Sequence, residues 1–283
     1  MSFFHRFTVA IFEQTKAMNI KLDLPTTWNE LSPVQLSNIA YQLYCYQQIV
    51  KDDAQAEMES AAKLYLQIAK ELMRGNPWRS VKVALKQMRP KAFQPFSKFI
   101  YGRVERTKFI DKIKIKGVTY YSPAQRLRNI TVAEFAYVDA AWYNWRLTGK
   151  QIWLNVLCAA LYREETKDFN ELDNRRPFVK QAVDSRADIF STLPLKTQLA
   201  VDFTYEGCRN HIADVNPVIF PKPVEDDNAP PHKKRKYVSF GKIIVDKIHG
   251  DPSKFNETNN VLVYDFLNIL TSEINRIKKE QLK

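Results

Sequence analysis

The sequence is poor in glycine and cysteine. Only seven of its 283 residues are glycine. Because tight turns and unusual backbone angles often need glycine, so small a number favours long helices over a sheet of many short strands. Cysteine occurs at Cys45, Cys158 and Cys208. Three widely separated cysteines argue against a disulfide framework and predict buried free thiols in a reducing compartment.

The sequence also lacks the motifs of the common phosphate-binding and hydrolytic enzymes. Neither G-x-x-x-x-G-K-S/T nor G-x-G-x-x-G occurs, so no glycine-rich loop is available to approach a phosphate chain. G-x-S-x-G and H-E-x-x-H are missing as well. Adjacent acids such as Asp52 and Asp53 point apart on a helix and do not form an acid–base pair. We therefore predict a protein that is not an enzyme, with no catalytic residue and no cofactor.

Metal ligands are sparse too. Cys208 and His211 stand three residues apart, but a zinc site needs about four converging ligands and no second pair accompanies them. We interpret His211 as a helix-surface or core residue and predict no metal site.

Long apolar runs are missing. No stretch reaches the roughly 18 residues that a helix needs to cross a bilayer. The run from Phe7 to Phe12 is too short for the apolar part of a signal peptide, and Glu13 follows at once. We expect no membrane partner and a cytoplasmic location.

The sequence does contain strong helix signals. Ser32-Pro33-Val34-Gln35 and Thr131-Val132-Ala133-Glu134 both have the pattern of a capping box, in which the first and fourth residues satisfy each other's backbone N–H groups. Apolar residues at three-four spacing then predict a succession of helices. Their predicted bounds are 2–18, 32–50, 54–74, 77–88, 131–147, 151–162, 195–212, 237–249 and 258–280.

A β-hairpin is predicted between these helices. Ile113 and Ile115 alternate with lysines, Lys116-Gly117 is a credible turn, and Val118 to Tyr120 can return antiparallel. Residues 20–24 also alternate and predict a short strand or extended arm. We expect Trp28 to anchor this arm to the core. The fold class is therefore mainly α, with a small β-hairpin and a C-terminal helix pair.

Proline divides the predicted domains. Residues 216–231 contain five prolines and three acids, which is incompatible with regular structure, and a basic cluster follows at once. We predict a helical domain over 1–213 with an N-terminal arm and a basic hairpin segment, a linker over 214–236, and a helical pair over 237–283.

Positive charge is concentrated in one segment. The net charge of the chain is +12. Residues 74–116 contain thirteen Lys or Arg and two acids, which leaves 13 − 2 = +11. Such asymmetry indicates an acidic partner, which is nucleic acid, a membrane surface or an acidic protein face, although lysines on a hairpin also discourage unwanted strand pairing. The candidate interaction residues are Arg103, Arg106, Lys108, Lys112, Lys114, Lys116, Lys233, Lys234, Arg235 and Lys236.

Three blocks of the sequence follow one another in a distinctive order. The first runs from Leu24 to Leu36 and contains Trp28-Asn29-Glu30-Leu31. The second joins the lysine-rich hairpin to Tyr121-Ser122-Pro123-Ala124 and Ile130 to Phe135. The third is Phe240 to Ile244, then Gly250, Phe255 and Asn259 to Leu270. The order of these blocks is similar to that in uncharacterised proteins encoded beside the tail genes of some tailed bacteriophages and prophages. The late helices resemble those of tail assembly chaperones and minor tail components.

The resemblance implies a non-enzymatic morphogenesis protein, a tail or neck component or an assembly factor, that contacts other virion or assembly proteins. It implies a location in the cytoplasm of the infected host cell, with or without incorporation into the virion. Two alternatives stay open: a nucleic-acid-binding protein that uses the basic segment 74–116, with DNA as partner, and an enzyme whose active site follows no motif. The oligomeric state is not predicted.

Overall fold

The chain forms two compact units. The computed structural model describes residues 6–13, 16–87, 90–166, 173–221 and 238–281. Unit 1 comprises Met1–Arg106 and Pro194–Gly207, and unit 2 comprises Thr107–Leu193 and Cys208–Lys283. The domain boundaries predicted at 213 and 236 stay a prediction, and residues 222–236 of the predicted linker lie outside the described ranges.

Unit 1 begins with an antiparallel hairpin. Strand β1 (Arg6–Glu13) pairs with β2 (Lys16–Asp23), in a register that runs from Arg6 opposite Asp23 to Glu13 opposite Lys16. The predicted helix over 2–18 is therefore wrong for the described residues 6–13 and 16–18. Of the predicted extended segment 20–24, residues 20–23 are confirmed as part of β2. Phe7, Val9 and Ile11 also alternate at the period of a strand, and such aromatic and β-branched residues favour that conformation.

Four helices follow in unit 1: α1 (Pro33–Asp52), α2 (Glu57–Leu72), α3 (Trp78–Gln87) and α4 (Pro90–Tyr101). The capping box of α1 is confirmed, since the Gln35 N–H donates to Ser32 Oγ at 3.3 Å and the Ser32 N–H donates to Gln35 Oε1 at 3.0 Å. Helix α4 has no counterpart among the helices predicted from the sequence. Pro90 begins α4, where a missing N–H is tolerated, and Pro95 lies inside it.

Trp28 fixes the segment between β2 and α1. Its side chain is 1% exposed, and its indole Nε1–H donates to the Phe99 carbonyl at 2.9 Å. The Phe203 ring lies 6.1 Å away, centroid to centroid. The predicted anchoring of the arm by Trp28 is thus confirmed, through both apolar burial and a satisfied polar tip.

Unit 2 begins with the predicted hairpin. Strand β3 (Lys112–Ile115) pairs antiparallel with β4 (Val118–Tyr121). The turn residues Lys116 and Gly117 have φ angles of 47° and 86°. Positive φ at both central positions is what a two-residue hairpin turn requires, so the turn predicted from Lys116-Gly117 is confirmed.

Four further helices are α5 (Val132–Thr148), α6 (Gln151–Leu161), α7 (Val183–Phe190) and α8 (Leu195–Val215). Gly149 ends α5 with a φ of 64°. Helix α6 is buried along most of its length. The chain passes from unit 1 to unit 2 within α8, between Gly207 and Cys208.

The C-terminal part of unit 2 has α9 (Phe240–Lys247), α10 (Phe255–Asn260) and α11 (Val263–Gln281). The helix predicted over 258–280 is interrupted, because Leu262 forms a β-bridge with Thr131. The Val132 N–H donates to Val261 O at 2.9 Å, and the Val263 N–H donates to Ile130 O at 3.0 Å. This bridge joins the start of α5 to the start of α11.

The fold class is confirmed as mainly α, with a β3–β4 hairpin and helices at the C-terminal end. Over the ranges given above, no helix combines the length and the apolar character needed to cross a lipid bilayer.

Candidate interaction surfaces

The lysines of the β3–β4 hairpin form one cationic surface of unit 2. Lys112 and Lys114 are exposed, whereas Ile113 and Ile115 are 6% and 5% exposed. The alternation places the lysines on the outer face of the hairpin, and Lys116 is exposed at its turn. We call Lys112, Lys114 and Lys116 the hairpin face. Lys108 is also exposed and belongs to the same unit.

Two of the three predicted arginines, Arg103 and Arg106, belong to unit 1 and differ in exposure. Arg103 is exposed. Arg106 is only 2% exposed, and its Nη1 donates to the carbonyls of Trp28 at 2.7 Å and Leu31 at 3.1 Å. Arg106 is therefore not a surface residue, and its assignment to an interaction surface is wrong: its charge satisfies backbone oxygens beside the buried Trp28. Lys233 to Lys236 lie outside the described residues.

A second cationic surface lies on α3. Trp78, Lys82 and Lys86 follow one another at intervals of four residues and are all exposed, and Arg79 is exposed beside them. Such intervals place side chains on one side of a helix. The Trp78 indole is 67% exposed, and Lys82 Nζ lies 5.3 Å from its ring centroid. We call these four residues the α3 face.

No acid lies near the α3 face along the chain. Glu71 and Glu105 are consecutive acidic residues, and all the charged residues between them are Lys or Arg. Within the described part of the chain, no ion pair engages Arg79, Lys82 or Lys86. Prediction from the sequence identified the basic segment 74–116 but not this face, although the four-residue spacing was the available signal.

The aromatic residues of the basic segment 74–116 do not share one environment. Phe93 is 3% exposed and packs at 6.0 Å from Tyr65 and 6.2 Å from Phe96, ring centroid to ring centroid. Phe99 contacts Trp28 edge to face at 6.0 Å. Phe93 is thus part of the core of unit 1, whereas Trp78 remains accessible to a ligand.

Helix α11 presents an apolar stripe beyond its packed part. Val263, Phe266 and Leu267 are at most 3% exposed, and Phe266 lies 5.7 Å from the Phe240 ring, centroid to centroid. The same side continues with the half-buried Leu270 and Ile274 and with Ile277, which is 42% exposed. We call Leu270, Ile274 and Ile277 the α11 stripe.

A buried ion cluster holds the segment after α6 against α5. The Glu134 carboxylate is 1% exposed and lies 2.9 Å from Arg163 Nη1 and 3.1 Å from Arg175 Nη1. Asp173 completes the cluster, 2.8 Å from Arg175 Nη2. Burial lowers the pKa of the Arg163 guanidinium, although the negative charge of Glu134 acts in the opposite direction.

The cluster corrects one detail of the sequence interpretation. The Thr131 side chain caps α5 as predicted, because the Glu134 N–H donates to its Oγ1 at 3.3 Å. The Glu134 carboxylate, however, does not return to the cap: it accepts from the two arginines. No helix is predicted from the sequence over residues 164–187, and the partnership of Arg175 with Glu134 carries no local sequence signal.

The three cysteines and His211 have structural surroundings rather than those of a metal site. Cys158 and Cys208 are buried free thiols, and Cys45 is half-buried and free. The Cys208 thiol donates to the Thr107 carbonyl at 3.5 Å. Burial, and next to it the charge of Arg126, lowers the pKa of His211. Among the residues described, no three His, Cys, Asp or Glu side chains are grouped as they would be to hold a metal ion.

Comparison with known proteins returned no match: no family model, no curated protein and no solved structure is similar to this chain. The functional interpretation therefore depends on the residues themselves, and above all on the hairpin face, the α3 face and the α11 stripe.

Proposed function

We propose that the protein is a non-enzymatic tailed-phage morphogenesis protein, a tail or neck component or an assembly factor, that acts through contacts with other virion or assembly proteins. Its place of action is the cytoplasm of the infected host cell, with or without incorporation into the particle. The three sequence blocks around Trp28, Ile130 to Phe135 and Asn259 to Leu270 support the family, and the α11 stripe supports the mode of action.

The α11 stripe is the observation that carries the proposal of protein contact. Leu270, Ile274 and Ile277 stand at i, i+4 and i+7, the spacing by which one helix presents an apolar side to another. The stripe is continuous with the buried residues Val263 and Leu267, so its position on the helix is fixed by packing within unit 2. A partner helix laid on this side would extend an existing apolar contact rather than create an isolated one.

The proposal is tested by purification of the tagged protein from host cells during particle production, followed by quantitative mass spectrometry. We expect particle proteins to co-purify with the wild type and to be lost with the double variant Ile274→Asp/Ile277→Asp. The matched control is Asn268→Asp/Asn275→Asp, which adds the same two charges at exposed positions of α11. Wild-type protein that recovers no particle component would contradict the proposal.

A second candidate function is nucleic-acid binding through the basic segment 74–116. The observation that favours it is the exposure of two groups of cations, on the α3 face and on the hairpin face, because phosphate contacts require accessible Lys or Arg. A salt-titrated DNA-binding assay tests it. Wild-type affinity that falls steeply with salt supports this function, and the hairpin is implicated if Lys112→Glu/Lys114→Glu/Lys116→Glu abolishes binding. Absence of binding at low salt would refute it.

A further inference from the structure

The α3 face combines an accessible aromatic ring with cations on one side of a helix. At a rise of about 1.5 Å per residue, Trp78, Lys82 and Lys86 extend over roughly 12 Å of the helix, with Arg79 beside them. Trp78 is 67% exposed and is the sole tryptophan of the five that is classed as exposed. Apolar surface of this size is usually buried, so its exposure beside three cations needs a reason.

We propose that the α3 face binds single-stranded nucleic acid, with the Trp78 indole stacked on a base and with Arg79, Lys82 and Lys86 in contact with successive phosphates. This inference rests on the second candidate function and specifies its residues and the form of the ligand. Aromatic platforms interleaved with cations are the usual means of holding single strands without sequence preference.

The indole favours a single strand over a duplex. In a duplex the bases are already stacked on one another, so Trp78 would have to enter between two base pairs at an energetic cost. In a single strand the faces of the bases are accessible, and stacking on an exposed indole costs only the present contact with Lys82. Once released, the Lys82 ammonium lies one helical turn from the stacked base and can reach a phosphate.

The apolar residues of α3 argue against a lipid surface as the ligand. A helix that lies in a membrane interface presents several large apolar residues on one face. Helix α3 has Trp78 as its one exposed large apolar side chain, whereas Val81, Val83 and Leu85 are half-buried and Ala84 is fully buried. The apolar side of α3 is therefore directed into unit 1, and the outward side is almost entirely cationic.

The expected binding signature follows from the residue count. Three phosphate contacts give a slope of log K against log salt of roughly −2, at about −0.7 per contact for single strands. Loss of the indole should weaken binding roughly five-fold to tenfold. This effect is at the lower end of the range for base–aromatic stacking, because stacking of a base on Trp78 costs the contact between Lys82 and the ring. Loss of Lys82 and Lys86 should reduce the slope to roughly −0.7.

The experiment measures fluorescence anisotropy of a labelled oligothymidylate of about 16 nucleotides with the full chain over a range of salt concentrations. The same measurement is made with a mixed-sequence duplex, and sedimentation with phosphatidylserine-containing vesicles tests the lipid alternative. The variants are Trp78→Leu and Lys82→Gln/Lys86→Gln. The matched control is Lys112→Gln/Lys114→Gln, which removes the same two charges from the hairpin face of unit 2.

Single-strand binding that is tighter than duplex binding and weakened by both α3 variants, but not by the hairpin control, would establish the inference. Nucleic-acid binding that is unchanged by Trp78→Leu, or that depends on Lys112 and Lys114 instead, would overturn the inference and leave the second candidate function standing. Absence of binding to either nucleic acid at low salt would overturn both. Vesicle binding that is lost with Trp78→Leu, without oligonucleotide binding, would identify a lipid surface and overturn the inference.

Discussion

The buried ion cluster of unit 2 makes a sharp prediction about stability. Replacement of Glu134 by Gln keeps the shape of the side chain and removes its charge, which leaves Arg163 and Arg175 as buried cations whose remaining ion pairs, among the described residues, are with Asp173. Removal of one partner of a buried ion pair typically costs about 3–5 kcal/mol. Because Asp173 still contacts both guanidiniums, we expect the lower end, about 3 kcal/mol.

Urea unfolding of the full chain, followed by near-ultraviolet circular dichroism, measures this effect. With a denaturant dependence of about 2 kcal/mol per molar urea, a loss of about 3 kcal/mol lowers the midpoint of unit 2 by roughly 1.5 M. The matched control is Glu164→Gln, which removes the same charge from the exposed pair with Arg176 and should cost no more than about 1 kcal/mol. A Glu134→Gln midpoint equal to that of the control would refute the assignment of Glu134 as the centre of the cluster.

Two other predictions concern a close backbone contact and a tyrosine. A Cβ at Gly207 would lie 2.0 Å from the Arg106 carbonyl oxygen, so Gly207→Ala should lower the free energy of unfolding by roughly 1–3 kcal/mol. A Cβ at Gly241 would meet no atom within 4 Å, so Gly241→Ala should raise the free energy of unfolding by about 0.5–1 kcal/mol. Urea unfolding measures both changes. Burial raises the pKa of Tyr264 to about 12, and its hydroxyl donates to the Arg126 carbonyl at 2.7 Å. Since the folded pKa is above the unfolded value of about 10, the stability due to Tyr264 is fully present below pH 10 and is lost as the pH rises towards 12. The difference in Tm between wild type and Tyr264→Phe should therefore shrink over that interval, and a constant difference would contradict the assignment.

Local signals in the sequence sufficed for the helix starts and turns. The Ser32–Gln35 box, the Gly149 stop and the Lys116-Gly117 turn depend on residues within one or two turns of one another, and the structure has all three. Predictions failed where distant pairing decided the outcome. The helix expected over 258–280 is broken at Leu262, because Leu262 forms a β-bridge with Thr131. No residue near Leu262 in the sequence predicts that bridge.

The candidate surfaces were predictable to a similar extent. Charge counting found the segment that contains the α3 face and the hairpin face, and alternation of Ile113 with its lysine neighbours placed the latter. Neither signal could distinguish the exposed Arg103 from the buried Arg106, because Arg106 is held by the carbonyls of Trp28 and Leu31, which are 78 and 75 residues away in sequence. The four-residue spacing of Trp78, Lys82 and Lys86 was the signal for the α3 face, because residues so spaced lie on one side of a helix. Charge counting alone did not identify that face.

The most direct test of the proposed function is particle assembly in host cells from which the gene has been deleted. Electron microscopy would count complete particles after complementation with wild type, with Ile274→Asp/Ile277→Asp or with Asn268→Asp/Asn275→Asp. A morphogenesis protein that acts through the α11 stripe predicts complete particles with the wild type and with the Asn268 and Asn275 variant, and few or none with the Ile274 and Ile277 variant. Complete particles at wild-type numbers in the deleted cells would contradict the proposal.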